Sequence, residues 1–108
     1  MKDWQRIPCP IERTATLLAD HYIIMIIRDL MEGPKRFRDL EAAGINPRTL
    51  AARLRHLQDA GFIGHRGMAE TPAIAVYYLT EKGEALVPLI DFLRSYGNTW
   101  LPLSGSSL

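Results

Sequence analysis

The chain has 108 residues, enough for one small domain and too few for two separate cores, so we expect a single domain over residues 1–108 with an N-terminal arm (1–7) and a mobile tail (104–108). Hydrophobic residues make up 47% and charged residues 23%, which is typical of a globular protein, and the net charge of +1 does not by itself indicate a nucleic-acid partner. The longest strongly apolar run, Tyr22 to Ile27, is far too short to span a bilayer, and no signal-peptide core precedes it, so we expect a cytoplasmic protein without a membrane partner.

Two helices are predicted in the first third of the chain. The first runs from roughly Ile11 to Ala19, and Asp20 can cap a second from about His21 to Glu32. The second helix has almost no polar face and must therefore be central. Gly33 and Pro34 end it, because proline disfavours helical geometry at the residue before it.

The middle of the chain has the spacing of a helix-turn-helix. A short helix, roughly Arg36 to Ala43, precedes a turn at Gly44 and a longer helix from Asn46 to Gly61. Phe37 and Leu40 are three residues apart, so they share a face and fix the short helix to the core.

The longer helix carries its own boundary signals and two distinct faces. Asn46 is a good N-cap, Pro47 suits the first helical position and Gly61 favours a helix end. Its apolar stripe consists of Leu50, Leu54 and Leu57. Its opposite face consists of Arg48, Ala52 and Arg55. A solvated surface helix has the same pattern, so the neighbouring elements decide its role.

A β-hairpin is predicted next, from the runs FIGHR and AIAVYYL on either side of the polar loop GMAETP. A helix-turn-helix followed by a hairpin is the winged-helix arrangement, a mostly α fold with a small β-hairpin (α+β). In that fold the helix enters the major groove, and the wing lies along the backbone or in the minor groove. Between Arg28 and Arg66 there are eight basic against five acidic residues, a local positive excess that favours double-stranded DNA as the partner.

The last helix is predicted from about Glu81 to Trp100, capped by Thr80. Pro88 lies inside it, so we expect a kink or break between Glu84 and Pro88. Its apolar positions are Leu86, Leu89, Ile90, Leu93 and Trp100. An isolated domain would expose this stripe and pairing with a second copy would cover it, so we expect a homodimer.

The blocks CPIERT, IIRDLMEGPKRFRDL, INPRTLAARLRHLQDAGFI and YYLTEKGEALVPLIDFLRSYG occur in an order that resembles the HxlR-type transcriptional regulators, winged-helix proteins near the MarR group. The resemblance covers about Pro8 to Pro102. It implies a homodimer that binds an inverted-repeat operator, with the first and last helices forming the two-fold interface. The interface residues expected on the last helix are Leu86, Leu89, Ile90, Leu93, Tyr96 and Trp100.

The same resemblance implies which residues contact DNA. Arg48, Thr49 and Ala52 match positions that enter the groove. The remaining candidates are Arg53 and Arg55 further along the helix, Arg36 and Arg38 near phosphates, and Arg66 at the wing. Arginine can read guanine, bind phosphate or pair with a surface carboxylate, and the sequence does not separate these roles.

Three positions depart from the family pattern. ADHY, residues 19–22, replaces the usual glycine-glycine-lysine-tryptophan, which removes a lysine at the joint between the first two helices. Asn46 stands where serine is usual and is an equivalent cap. Tyr96 stands where tryptophan is common, so the dimer contact there gains a polar group.

Cys9 has two interpretations. It precedes a helix N-terminus, where the helix dipole and Arg6 or Arg13 would favour a thiolate, and several members of the resembled family sense oxidants or electrophiles through a cysteine in this position. The alternative is a buried structural cysteine, because prolines flank it and the sequence contains no second thiol.

Catalytic and metal-site patterns do not occur in the sequence, so we expect no enzyme, no metal and no cofactor. His21, His56 and His65 show no metal-ligand spacing, and we expect His56 to be a surface residue or a phosphate contact. There is no glycine-rich phosphate loop, and no serine has a recognisable base.

Two other functions stay open at this point. One is a winged-helix module that binds protein and not DNA. The other is a repressor that senses a small molecule in a dimer-interface cleft near Tyr22, Tyr77 or Trp100.

Overall fold

A computed structural model of the chain describes residues 3–67 and 74–105. Its helices are α1 (Pro10–Leu18), α2 (His21–Leu30), α3 (Phe37–Glu41), α4 (Pro47–Asp59), α5 (Glu81–Glu84) and α6 (Val87–Trp100). Its strands are β1 (Lys35–Arg36), β2 (Ile63–Arg66) and β3 (Val76–Leu79). The mostly α winged helix-turn-helix fold predicted from the sequence is therefore confirmed.

Side-chain caps begin three of the helices where the sequence predicts them. Asp20 Oδ1 accepts the backbone N–H of Ile23 at 3.1 Å at the start of α2. Thr80 Oγ1 accepts the backbone N–H of Gly83 at 3.2 Å at the start of α5. Asn46 caps α4 in the same way, and each cap satisfies a backbone donor that the helix leaves unpaired.

The sheet has one strand more than the predicted hairpin. It is antiparallel with the order β1-β3-β2, and Lys35 pairs with Tyr77 while Ile63 pairs with Leu79. The prediction that Arg36 begins the short helix is wrong: Arg36 belongs to β1, because the free edge of β3 binds this segment, and α3 begins at Phe37. Residues 68–73, most of the predicted wing loop, lie outside the described residues.

The core forms around α2, as its nearly unbroken apolar sequence predicts. Ile26 and Ile27 are 0% exposed and lie in one cluster with the apolar stripe of α4. That stripe, Leu50, Leu54 and Leu57, is at most 2% exposed. Burying these leucines orients α4, because the face that is not buried must point to solvent.

The predicted break in the last helix is confirmed. α5 ends at Glu84 and α6 begins at Val87, so Pro88 falls in the first turn of α6, where its missing N–H costs no intrahelical hydrogen bond.

The segment expected to be an N-terminal arm packs on the domain from Trp4 onwards. Trp4–Arg6 form a short 3-10 helix, and Ile7, which follows it, is buried with only 6% exposed. Of the expected tail, Ser104 and Gly105 are exposed and residues 106–108 lie outside the described residues. Within 3–67 and 74–105, no helix has the length and apolar character needed to cross a membrane.

Candidate nucleic-acid interface

Two arginines lie on the exposed face of α4, with two alanines between them on that face. Arg48, Ala51, Ala52 and Arg55 are all exposed, and Asn46 holds the start of the helix. The Asn46 Oδ1 accepts the backbone N–H groups of Arg48 at 2.9 Å and Thr49 at 3.4 Å. This face therefore presents a backbone that another molecule can approach closely, with cationic side chains near its beginning and middle.

One flank of α4 faces the junction between α1 and α2. Arg53 Nη2 lies 3.0 Å from Asp20 Oδ2, and both side chains are about one-third exposed. The hydrogen bond from Arg53 lowers the pKa of Asp20, with the bonds from Ile23 and Tyr22 adding to it and partial burial opposing it. Arg53, an expected DNA contact, is therefore already paired.

His56 occupies the same flank and corrects an expectation. We predicted a surface or phosphate-binding histidine, but His56 is half-buried and its Nε2 lies 2.9 Å from the carbonyl oxygen of Leu17. A carbonyl only accepts, so Nε2 carries the proton and donates. The partner is 39 residues away in the chain, which is why no local pattern indicated this bond.

The other predicted DNA contacts lie on neighbouring elements. Arg36 and Arg38, at β1 and α3, are exposed, and the backbone N–H of Arg36 donates to Asp39 Oδ2 at 3.0 Å. Arg66 ends β2, is exposed, and holds its guanidinium carbon 5.2 Å from the centroid of the Tyr78 ring. Of the eight predicted contacts, only Thr49 and Arg53 are half-buried.

A second surface, which we call the apolar groove, lies between α1, α2 and α6. It has a volume of about 600 Å³ and is lined among others by Ile11, Ala15, Leu18, Ile24, Leu89 and Leu93. The predicted cleft residues Tyr22, Tyr77 and Trp100 are not among those that line it, and Tyr77 is 7% exposed in the core.

The exposed side of α6 continues this surface. Its large side chains are Leu89, Phe92, Leu93, Tyr96 and Trp100, between 37% and 69% exposed. Phe92 was missing from the predicted interface although it lies in the same helix. Ile90 belongs to the predicted interface, but it is 4% exposed and packs in the core. The first turns of α6 lie against the domain, and Leu86 is half-buried for the same reason.

Cys9 is exposed at the N-cap of α1, so the alternative of a buried structural cysteine is wrong as to burial. Its Sγ accepts the backbone N–H of Glu12 at 3.5 Å. The two cations expected beside it have other partners. Arg13 donates to the carbonyl oxygens of Ile7 and Pro8 at 2.7 and 3.2 Å, and Arg6 pairs with Asp3 at 3.2 Å.

Metal binding has no support in the described part of the chain. No group of three or more His, Cys, Asp or Glu side chains within 3–67 and 74–105 is arranged to hold a metal ion.

Comparison with known proteins identifies related chains. A model of the family described as HxlR-like helix-turn-helix matches residues 17–104. YvaP, an uncharacterised HTH-type transcriptional regulator of Bacillus subtilis (strain 168), is 31% identical over 96 residues, which cover 86% of this chain and 89% of YvaP.

Two further relatives have solved structures. YodB, an HTH-type transcriptional regulator of the same strain, is 33% identical over 93 residues, 83% of each chain. The reduced form of YodB matches 87% of this chain and 95% of its own with a TM-score of 0.71, and a quinone-bound form of YodB is also similar to this chain. PA1607, proposed to be a transcription factor, is 32% identical with a TM-score of 0.84 over 96% of this chain and 73% of its own.

Proposed function

The chain belongs to the HxlR-like helix-turn-helix family of transcriptional regulators, which are not enzymes, and we propose that it acts as a homodimer on an inverted-repeat operator in double-stranded DNA. The observation that carries the proposal is the exposed, cationic face of α4, held in place by a buried leucine stripe on its other side. Such a role requires a compartment that contains DNA, in agreement with the cytoplasmic location expected from the sequence.

In this proposal α4 enters the major groove. Arg48, Thr49 and Ala52 approach the bases, Arg55 lies further along the groove, and Arg36 and Arg38 lie near phosphates. Arg66 stands at the base of the wing, where its stacking on Tyr78 supports the guanidinium while leaving it exposed to a phosphate.

The apolar groove and the exposed side of α6 support the proposed homodimer. Trp100 is 69% exposed, Phe92 65% and Ile11 79%, an extended apolar surface that a solitary domain would leave in water. In a two-fold dimer that pairs through α1 and α6, the same surface of each copy covers that of the other. Binding of such a dimer to one face of the duplex requires two α4 helices about one turn, roughly 34 Å, apart.

Two measurements on the purified protein test the proposal. Sedimentation should give a dimer, and fluorescence anisotropy with a labelled duplex should show affinity that falls by about 10³-fold or more between roughly 50 and 200 mM salt. A monomer would contradict the proposed homodimer. The absence of salt-dependent duplex binding would contradict the proposed DNA partner and favour a winged-helix module that binds protein.

A second proposal concerns regulation, and the exposure of the Cys9 thiol favours it. We propose that oxidants or electrophiles modify Cys9 at the N-cap of α1, beside the dimer surface, and thereby change operator binding. The relative YodB, which has quinone-bound and diamide-treated structures, supports this interpretation. Measuring operator binding by the wild type and by Cys9→Ser, with and without a quinone, separates a sensor cysteine from a structural one. If Cys9 is the sensor, the quinone should change the affinity of the wild type and leave that of the variant unchanged.

A further inference from the structure

The flank of α4 that faces α1 and α2 is held by two polar contacts. Arg53 Nη2 lies 3.0 Å from Asp20 Oδ2, and His56 Nε2 lies 2.9 Å from the carbonyl oxygen of Leu17. Both contacts join segments that are far apart in the sequence. They therefore fix the position of α4 relative to the rest of the domain and do not stabilise the helix itself.

Asp20 uses its two carboxylate oxygens for two different partners. Oδ1 accepts the backbone N–H of Ile23 and so caps α2, while Oδ2 pairs with Arg53. The cap orients the carboxylate independently of Arg53. Because the hydrogen bond from Arg53 lowers the pKa of Asp20, the pair is ionic at neutral pH.

The joint between α4 and the α1–α2 junction is open to solvent on one side. A surface cleft of about 280 Å³ lies there and is lined among others by Thr16, Asp20, Ala52, Arg53 and His56. The two polar contacts cross this cleft, where they link α4 to the α1–α2 junction beside the buried leucine stripe.

The position of Arg53 also separates it from the face that would meet DNA. Arg48 and Arg55 are exposed, whereas the side chain of Arg53 is 33% exposed and paired. We propose that Arg53, tied to Asp20, is a positioning residue that sets the orientation of α4 for groove entry and does not itself contact DNA. This inference rests on the proposed DNA-binding function and replaces the expectation that Arg53 binds DNA.

Charge-removing variants on both sides of the pair test the proposal. Asp20→Asn keeps an N-cap and removes the ion pair, and Arg53→Met removes it from the other side. For a duplex selected by the wild type, we expect each variant to bind about tenfold more weakly, the effect of losing a base contact. Affinity for a scrambled duplex should not change. The double variant should bind no more weakly than either single variant, because both remove the same interaction.

The salt dependence separates positioning from phosphate contact. Arg53→Met should leave the slope of log affinity against log salt unchanged, whereas loss of one phosphate contact in each subunit of the dimer lowers its magnitude by about 1.8. Arg38→Met removes the same charge at an exposed position that the proposal places near a phosphate, and it is the control, with an expected fall of about 1.8. Arg53→Lys keeps a cation for Asp20 and should bind nearly as the wild type, and thermal unfolding checks that every variant is folded.

Two results would overturn the inference. One is a slope whose magnitude falls by about 1.8 in Arg53→Met. The other is unchanged or tighter binding by Asp20→Asn, as expected if a released Arg53 reaches a phosphate. Failure of the wild type to bind any duplex would instead contradict the proposed function, and it would be seen before any variant is compared.

Discussion

Lys82 reaches the end of α4, and its Nζ donates a hydrogen bond to the carbonyl oxygen of Ala60 at 2.6 Å. The same ammonium lies 5.1 Å from the centroid of the Trp4 ring and 4.8 Å from that of Phe62. A cation at a helix C-terminus satisfies a free carbonyl and opposes the negative end of the dipole. Lys82 therefore connects α4, α5 and the N-terminal segment.

Replacing Lys82 with methionine should lower the free energy of unfolding by about 1–2 kcal/mol, because the hydrogen bond, the dipole contact and the cation–π contacts are lost together. Urea denaturation of the variant measures the loss. Arg6→Met is the control: Arg6 is highly exposed and pairs only with Asp3 among the described residues, so the change should stay within about 0.5 kcal/mol. Equal losses in the two variants would show that Lys82 is an ordinary surface residue.

At Gly83, α5 comes so close to Phe62, which lies between α4 and β2, that only glycine fits. A Cβ at this position would overlap the carbonyl oxygen of Phe62, so Gly83→Ala should cost about 3 kcal/mol of stability. Gly97→Ala is the matched control within a helix, because its Cβ would meet no atom within 4 Å and alanine should stabilise α6 by about 0.5–1 kcal/mol. The melting temperature should therefore fall for Gly83→Ala and rise for Gly97→Ala. A Gly83→Ala variant as stable as the wild type would contradict the packing at α5.

The pair of Asp20 and Arg53 predicts a pH dependence of stability. Because the pKa of Asp20 in the folded chain is below its ordinary value of 3.8, the pair stabilises the fold above about pH 4, and this contribution is lost as the pH falls through the folded-state pKa. At pH 7 the free energy of unfolding of the wild type should exceed that of Asp20→Asn by about 1 kcal/mol or less, since the side chains of Asp20 and Arg53 are both about one-third exposed. Urea denaturation at pH 7 and pH 3 should show this difference shrinking, and a difference that grows at low pH would contradict the pairing.

The proposed dimer predicts that a charge on the exposed side of α6 separates the subunits. Leu93→Glu should raise the dimer dissociation constant about 100-fold or more, because the carboxylate would be buried without a partner. Asn98→Glu places the same charge on the opposite side of the helix and should leave the dimer intact. Sedimentation across a concentration series distinguishes them, and a Leu93→Glu dimer as tight as the wild type would place the interface elsewhere.

Local patterns in the sequence predict the elements but not their long-range contacts. The cap at Asn46, the leucine spacing and the break near Pro88 are all encoded within a few residues, and the structure confirms each. Strand β1 was missed because a two-residue strand has no measurable alternation and forms only by pairing with β3.

The candidate site shows the same limit. The exposure of Arg48 and Arg55 follows from the leucine stripe, whose opposite side they occupy. The partners of Arg53 and His56 lie 33 and 39 residues earlier in the chain, so helical periodicity carries no information about them. Ile90 was placed at the interface for a related reason, because an apolar stripe does not distinguish core from subunit contact.

Selection of bound sites from a random duplex pool tests the central claim most directly, because one measurement reports DNA binding, symmetry and spacing. The wild type should enrich an inverted repeat whose half-site centres are about 10 base pairs apart, as two α4 helices on one face of the duplex require. Arg48→Ala, at the exposed start of α4, should weaken that enrichment without unfolding the protein. A pool that stays random, or that converges on a single asymmetric site, would contradict a dimer that reads DNA through α4.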